Sequence, residues 1–235
     1  RTHEVIPADG CRLQPECAER LKKAVTDWMR ENRIPAYDEK THTGCVRHIY
    51  LRLGFVSGQA LCCVVLNAKK TPQPAALVEA ILREVPQTAG IVVSYNEKRG
   101  NTILGDRFET LCGSDTIEDT LCGLRFSVSP LSFFQVNPQQ TERLYGLALE
   151  YAGLTGAETV VDAYCGAGTI SLLLAQKAKK VIGIEIVPEA IQNANENAAR
   201  NGIANAEFHV GATEELLPKL VENGLRPDVI VLDPP

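Results

Sequence analysis

From about residue 157 onward, short β-branched runs alternate with segments of helical periodicity: "ETVVDAYC", "GTISLLLAQKA", "KKVIGIEI", "PEAIQNANENAARNG", "AEFHV", "ATEELLPKLVENG" and "DVIVLD". Runs of Val and Ile need cover on both faces, and connections that contain a helix bring the next strand back parallel to the last. The alternation therefore predicts an α/β fold with a doubly wound parallel sheet, and excludes an all-β or all-helical one. The last apolar run, Val229 to Leu232, reads as a buried strand that delivers Asp233 into a rigid Pro234-Pro235 pair. Upstream, Asn137 is placed to cap a helix with Pro138 in its first turn, and Leu144, Leu147, Ala148 and Tyr151 give that helix an apolar stripe up to Gly153.

The first half reads differently. Leu13, Cys17, Leu21, Ala24, Val25 and Trp28 recur at helical spacing and predict a helix from about 14 to 32, ended by Pro35. "CVRHIYLRLGFVSGQALCCVVLNAK" alternates as two strands joined across Ser57-Gly58. A short helix in "PQPAALVEAILREV" follows, then further strands in "AGIVVSYNEKRGNTILG", "DRFETLCG" and "TIEDTLCGLRFSV". This grammar predicts a smaller α+β domain on a mostly antiparallel sheet. Charge marks the boundary: residues 1–128 carry 17 Lys and Arg against 16 Asp and Glu, whereas residues 129–235 carry 7 against 13. Two domains are expected, 1–128 and 129–235.

In an open parallel sheet a ligand sits beyond the carboxyl ends of the strands. The first such end is "VVDAYCGAGTIS", in which a strand closing at Asp162 leads through Gly166 and Gly168 into a helix. A dinucleotide site wants a third glycine three residues later; Ser171 stands there, so a cofactor without a pyrophosphate fits better. Glu185 closes the next strand 19 residues after Gly166, the interval at which an acid reaches ribose hydroxyls. A glycine turn with a ribose acid and no third glycine is the pattern of S-adenosylmethionine enzymes. At the third end, Ala212 and Thr213 stand where an adenine contact is made, here expected from backbone. Asp233 closes the fourth, where a methyl donor and its acceptor meet.

"SFFQVNP" ahead of this fold, "DAYCGAGTISL", "GIEIVPEAIQNANENAARNGI" and the terminal "DPP", in this order and spacing, resemble the RNA (uracil-C5) methyltransferase family, which makes 5-methyluridine in tRNA or ribosomal RNA. "THEVIPADGC" and "YDEKTHTGCVRHIYLR" resemble that family's central domain. The resemblance implies a Rossmann-like S-adenosylmethionine-dependent methyltransferase fold, truncated here. It implies cofactor contacts at Gln135, Tyr164, Glu185 and Asp233, with Thr169 where some members have an Asn. It also implies an RNA partner, a first domain able to contact RNA, and a cysteine nucleophile and glutamate base that both lie beyond residue 235. Many members bind a [4Fe-4S] cluster; Cys11 matches the fourth ligand, and since the other three would precede Arg1, a cluster is expected in a full-length protein only.

The chemistry agrees with that division of parts. Carbon 5 of uracil is a poor nucleophile until a thiolate adds to carbon 6, after which a base removes the carbon 5 proton. Cys165 lies in the glycine turn, and Cys62, Cys63, Cys112 and Cys122 read as small buried residues of first-domain strands. No catalytic residue is therefore assigned within the chain, and Arg47 and His48 read as structural as readily as RNA-facing. Eight cysteines, two of them adjacent in an apolar strand, point to reduced thiols and the cytoplasm. No apolar run reaches membrane-spanning length, and a net charge of −5 does not advertise nucleic acid. Two rivals stand beside the uracil reading: an amino-group methyltransferase, which also uses Asp-Pro-Pro, and a non-catalytic RNA-binding module.

Overall fold

The computed structural model describes residues 10–234; residues 1–9, with most of "THEVIPADGC", and Pro235 lie outside the described residues. The chain divides into two compact units, Arg1–Gly54 with Gly58–Ile117, and Phe55–Ser57 with Glu118–Pro235.

The first unit contains α1 (Glu16–Glu31), β1 (Val46–Leu53), β2 (Ala60–Leu66), α2 (Pro74–Glu84), β3 (Thr88–Tyr95) and β4 (Arg107–Gly113). Its sheet has the order β1-β2-β3-β4. The β1–β2 and β3–β4 pairs are antiparallel, and β2–β3 is parallel because α2 crosses between them. Every residue of β2 is buried, including Cys62 and Cys63, so its unbroken apolar run is that of a central strand. α1 buries Cys17, Leu21, Ala24, Val25 and Trp28 as the periodicity predicts. Leu13 does not join that stripe and is 95% exposed, since the helix begins only at Glu16, behind Pro15. The helix also stops before Pro35, capped at Asn32 with Arg33 in the left-handed region.

The second unit takes β5 (Ile117–Leu121), β6 (Leu124–Val128), α3 (Pro138–Ala152), β7 (Thr159–Ala163), α4 (Thr169–Ala175), β8 (Lys180–Glu185), α5 (Pro188–Arg200), β9 (Ala206–Val210), α6 (Thr213–Glu222) and β10 (Val229–Leu232). The parallel sheet runs β10-β7-β8-β9, the doubly wound arrangement the alternation predicts. Strands β5 and β6 pair with each other rather than joining the first unit's sheet, where the sequence pattern had placed them. Hydrogen bonds account for this: the Arg125 amide donates to Asn201 Oδ1 (2.8 Å) and the Ser127 amide to Asn197 Oδ1 (3.1 Å), tying β6 to α5. Cys122 accordingly lies in the β5–β6 turn at φ +51°, partly exposed, and not in a buried strand. Asp119 of β5 takes the amides of Phe55, Val56 and Ser57 at 2.9 to 3.2 Å. Apart from Phe55–Ser57, the unit thus runs from Glu118, while the charge profile changes near 128.

Two apolar patterns face where periodicity alone did not place them. α3 buries Thr141 and Tyr145, while Leu144, Leu147 and Tyr151 of the expected stripe are exposed, Tyr151 by 82%. β10 occupies an edge position with β7 on one side, leaving Ile230 and Leu232 largely exposed among the described residues. The cap is as expected: the Asn137 side chain accepts the Gln140 amide at 3.2 Å, and the helix ends on Gly153 in the left-handed region.

Candidate functional site

Parallel registry brings the strand ends together. Leu232 stands beside Ala163, Ala163 beside Ile184, and Glu185 beside Val210. Tyr164, Glu185 and Asp233 therefore follow three neighbouring strands at one edge of the sheet, as the sequence pattern predicts.

The turn between β7 and α4 is built by close approach. The Cys165 amide donates to Ile184 O at 2.9 Å, and the Gly166 amide to Glu185 Oε2 at 3.2 Å. Gly168, at φ +81°, starts α4; a Cβ there would sit 3.1 Å from both Ala194 and Phe208. Gly183 of β8 is tighter still, since its Cβ would meet Phe208 at 2.6 Å and Cys165 Sγ at 2.9 Å. Tyr164 itself has φ +65°, a conformation that costs a side-chain-bearing residue energy and is found where a site demands it.

Glu185 accepts the Gly166 amide on one oxygen and the Val187 amide on the other at 2.9 Å. Each oxygen keeps a further lone pair for a hydroxyl donor. The Tyr164 phenol donates to Glu214 in the first turn of α6, which raises the phenol's pKa and lowers the carboxyl's. Thr213, at the start of the same helix, has a buried hydroxyl with no hydrogen-bond partner among the described residues, so a polar side chain as well as backbone is available at the third strand end.

Beneath the turn lies Asp162, 1% exposed. Its Oδ2 accepts the Ser171 hydroxyl at 2.5 Å, and its Oδ1 is buried with no hydrogen-bond partner among the described residues. Burial pushes its pKa up to about 7, opposed by the Ser171 hydrogen bond and helped by the nearby charges of Asp233 and Glu185. Ser171 occupies the position of the third glycine of a dinucleotide loop, and its hydroxyl is committed to this buried acid. Burial also pushes the Cys165 thiol well up, with Asp162 and Glu185 adding to the effect, which makes it a poor nucleophile.

Gln135 joins the site through a residue that the sequence reading passed over. The Tyr145 phenol, on the buried face of α3, hydrogen-bonds the Gln135 side chain and the Thr169 hydroxyl, the latter at 3.1 Å. Burial raises its pKa, and the charges of Asp233 and Asp162 raise it further. Tyr145 thus links the segment before α3 to the start of α4, within the field of the Asp233 charge that follows β10. The available signal was the pair Thr141 and Tyr145 at one-turn spacing, which an apolar template skips because Thr is polar. Glu214 was likewise legible only as a first-turn acid of α6.

Cys11 is partly exposed, and among the described residues no three His, Cys, Asp or Glu side chains gather as metal ligands. These residues alone do not fit an iron–sulfur cluster. No helix of the described residues is long and apolar enough to cross a membrane.

Comparison with known proteins agrees with this arrangement. A family described as "Methyltransferase domain" matches residues 154–234. The chain is 49% identical over its full length to a protein of Clostridium acetobutylicum and 46% identical to one of Halalkalibacterium halodurans, each named an uncharacterized RNA methyltransferase. It spans about half the length of these curated relatives, 51% of each. Its fold matches that of the Pyrococcus abyssi tRNA (uracil-54, C5)-methyltransferase in complex with S-adenosyl-L-homocysteine, with a TM-score of 0.81 and 24% identity, covering 99% of this chain and 54% of that one.

Proposed function

Because this chain belongs to one family with the proteins named RNA methyltransferases that it matches along its whole length, we propose that it forms the cofactor-binding part of an S-adenosylmethionine-dependent enzyme that methylates carbon 5 of uridine in RNA. The substrate in this reading is tRNA or ribosomal RNA, and the compartment is the cytoplasm. One observation carries the cofactor assignment: Glu185, Tyr164 and Asp233 stand at adjacent parallel strand ends around a glycine turn whose third-glycine position is taken by the Ser171–Asp162 hydrogen bond. That turn suits a nucleoside without a pyrophosphate.

S-adenosylmethionine, when bound, supplies a methyl group on a cationic sulfonium. The chain's own residues then hold it. Glu185, oriented by two backbone amides, accepts from the ribose hydroxyls, and Thr213 offers a hydroxyl at the third strand end. Gln135, held by Tyr145, and Asp233 beside Tyr164 flank the place where donor and acceptor meet. The uridine assignment is supported by the motif set "SFFQVNP", "DAYCGAGTISL" and "DPP". In that route a thiolate adds to carbon 6 and is expelled after a base takes the carbon 5 proton. Following the resemblance, thiolate and base are assigned to residues beyond Pro235; in keeping with this, burial pushes six of the eight thiols up, Cys62 to about 11 and Cys63 to about 12, with Cys17, Cys45, Cys122 and Cys165 also raised.

The test is to incubate the full-length protein with transcribed tRNA, ribosomal RNA fragments and tritiated S-adenosylmethionine, then digest the RNA to nucleosides. Label is expected in 5-methyluridine. Label in a methylated adenosine would transfer the protein to the amino-group methyltransferases, and RNA binding without any label would make it a binding module.

A further inference from the structure

The first unit treats its cations in two ways. On the helical layer they are neutralised: Arg20 pairs with Glu16, Lys22 with Glu19, Lys23 with Asp27 and Glu84, and Arg30 with Asp27. At one end of the sheet they are not. Strand registry puts Val46 beside Leu66, Leu66 beside Tyr95, and Tyr95 beside Arg107, so the segments 36–45, 67–73 and 96–106 all emerge at the same end. Those segments carry Lys40, Lys69, Lys70, Lys98 and Arg99, all exposed. Lys98 pairs with Asp106 at 2.5 Å, while among the described residues Lys40, Lys69, Lys70 and Arg99 make no ion pair. The other acids at this end are Glu97, exposed next to Lys98 and Arg99; Glu39, exposed next to Lys40 and engaged in an interaction of its own; Asp38, which accepts the Lys40 and Thr41 amides; and Glu109, which accepts from the Tyr95 hydroxyl; segment 67–73, with Lys69 and Lys70, carries none.

The loops that bear these free cations are pinned from below. Arg47 lies over the Tyr37 ring at 4.5 Å and donates to the carbonyls of Asn96 (2.9 Å), Lys98 (2.7 Å) and Gly100 (3.4 Å). Arg107 lies over the Tyr95 ring at 3.5 Å and donates to Lys69 O at 2.6 Å. Asn67 reaches Gly44 O at 2.9 Å, and Asn96 reaches Thr102 O at 2.7 Å. Two arginines are thus spent on backbone carbonyls, holding the segments that display Lys69, Lys70 and Arg99. Preorganised cations without acid partners lose less entropy on meeting an anion than cations on a floppy tail, and they release no internal ion pair.

We propose that this loop end of the first unit is a surface that binds RNA phosphates, with Lys69, Lys70 and Arg99 as its principal contacts and Lys40 at its margin. The proposal rests on the reading of the protein as an RNA methyltransferase and assigns where the nucleic acid is gripped. Contacts of this kind position the backbone and carry no sequence information, so their loss weakens binding to all RNAs alike.

The experiment compares the full-length protein with a triple variant, Lys69→Ser, Lys70→Ser and Arg99→Ser, and with a control, Lys22→Ser and Lys23→Ser, whose cations are paired on α1. Fluorescence anisotropy with labelled transcribed tRNA is read over a series of salt concentrations. The triple variant is expected to bind roughly tenfold to hundredfold more weakly at moderate salt, with the log–log salt slope shallower by about 2, while the control binds like the parent. The far-UV circular dichroism and the thermal unfolding transitions of both variants are expected to match the parent's, which shows that the first unit is folded, and binding of S-adenosylhomocysteine by the second unit is expected to stay as in the parent. A triple variant with the parent's affinity and slope would overturn this inference alone. A parent protein that binds no tRNA at any salt would overturn the RNA reading and this inference with it.

Discussion

At Asp162 a carboxylate is enclosed by the protein with one oxygen on the Ser171 hydroxyl and the other, among the described residues, without a hydrogen-bond partner. Its pKa of about 7, against an ordinary 3.8, fixes the direction of its linkage to folding. Between those values the folded chain keeps a proton that the unfolded chain releases, so this group's contribution is full below pH ~4 and is lost as pH rises through ~7. Replacing Asp162 by Asn removes the titration but keeps an acceptor for Ser171. Urea midpoints measured across that range should fall with pH in the parent more than in Asp162→Asn, and equal falls would contradict the assignment. Ser171→Ala should lower stability by about 1 to 3 kcal/mol, since it removes the hydroxyl donor of the buried acid and leaves it the Ser171 backbone amide. The absence of the third glycine could be seen in the sequence. The role of Ser171 could not, because spacing says which position differs and not which buried atom needs it. Tyr145 escaped for a related reason: it is buried on α3 with hydrogen-bond partners, Gln135 and Thr169, that lie outside the helix and that a local pattern does not contain.

At the scale of elements, capping and glycine chemistry were readable, while the facing of apolar stripes was less so. Asn137 caps α3 as its type predicts, and Asn137→Ala should cost about 1 kcal/mol in a denaturant titration, since it removes the acceptor for the Gln140 amide. Gly168→Ala should cost more than an ordinary helix-terminal substitution and should also weaken cofactor binding. Its φ of +81° disfavours a Cβ, and Ala194 and Phe208 stand 3.1 Å from where that atom would lie. Parallel falls in unfolding midpoint and in affinity for S-adenosylhomocysteine would bear this out; an unchanged affinity would place the glycine turn outside the site. Leu144, Leu147 and Tyr151 on α3 form the periodic pattern expected of a buried face yet are exposed. Periodicity reports that a face is apolar. Which neighbour covers it depends on tertiary partners that a local pattern does not contain. The hairpin β5–β6 shows the same limit: its strands were recognisable, but their attachment to α5 depends on Asn197 and Asn201, some 70 residues away.

For the whole molecule, the alternation of strands and helices was enough to predict the parallel sheet, and with it the edge where Tyr164, Glu185 and Asp233 gather. The central claim is that this edge binds a nucleoside cofactor through Glu185. Isothermal titration of S-adenosylhomocysteine into the chain and into Glu185→Ala tests it most directly. The substitution should weaken binding about tenfold to hundredfold, equivalent to about 1.5 to 3 kcal/mol, because two ribose hydroxyls would lose their charged acceptor. Equal affinities for the two proteins, or no detectable binding to the parent, would contradict it.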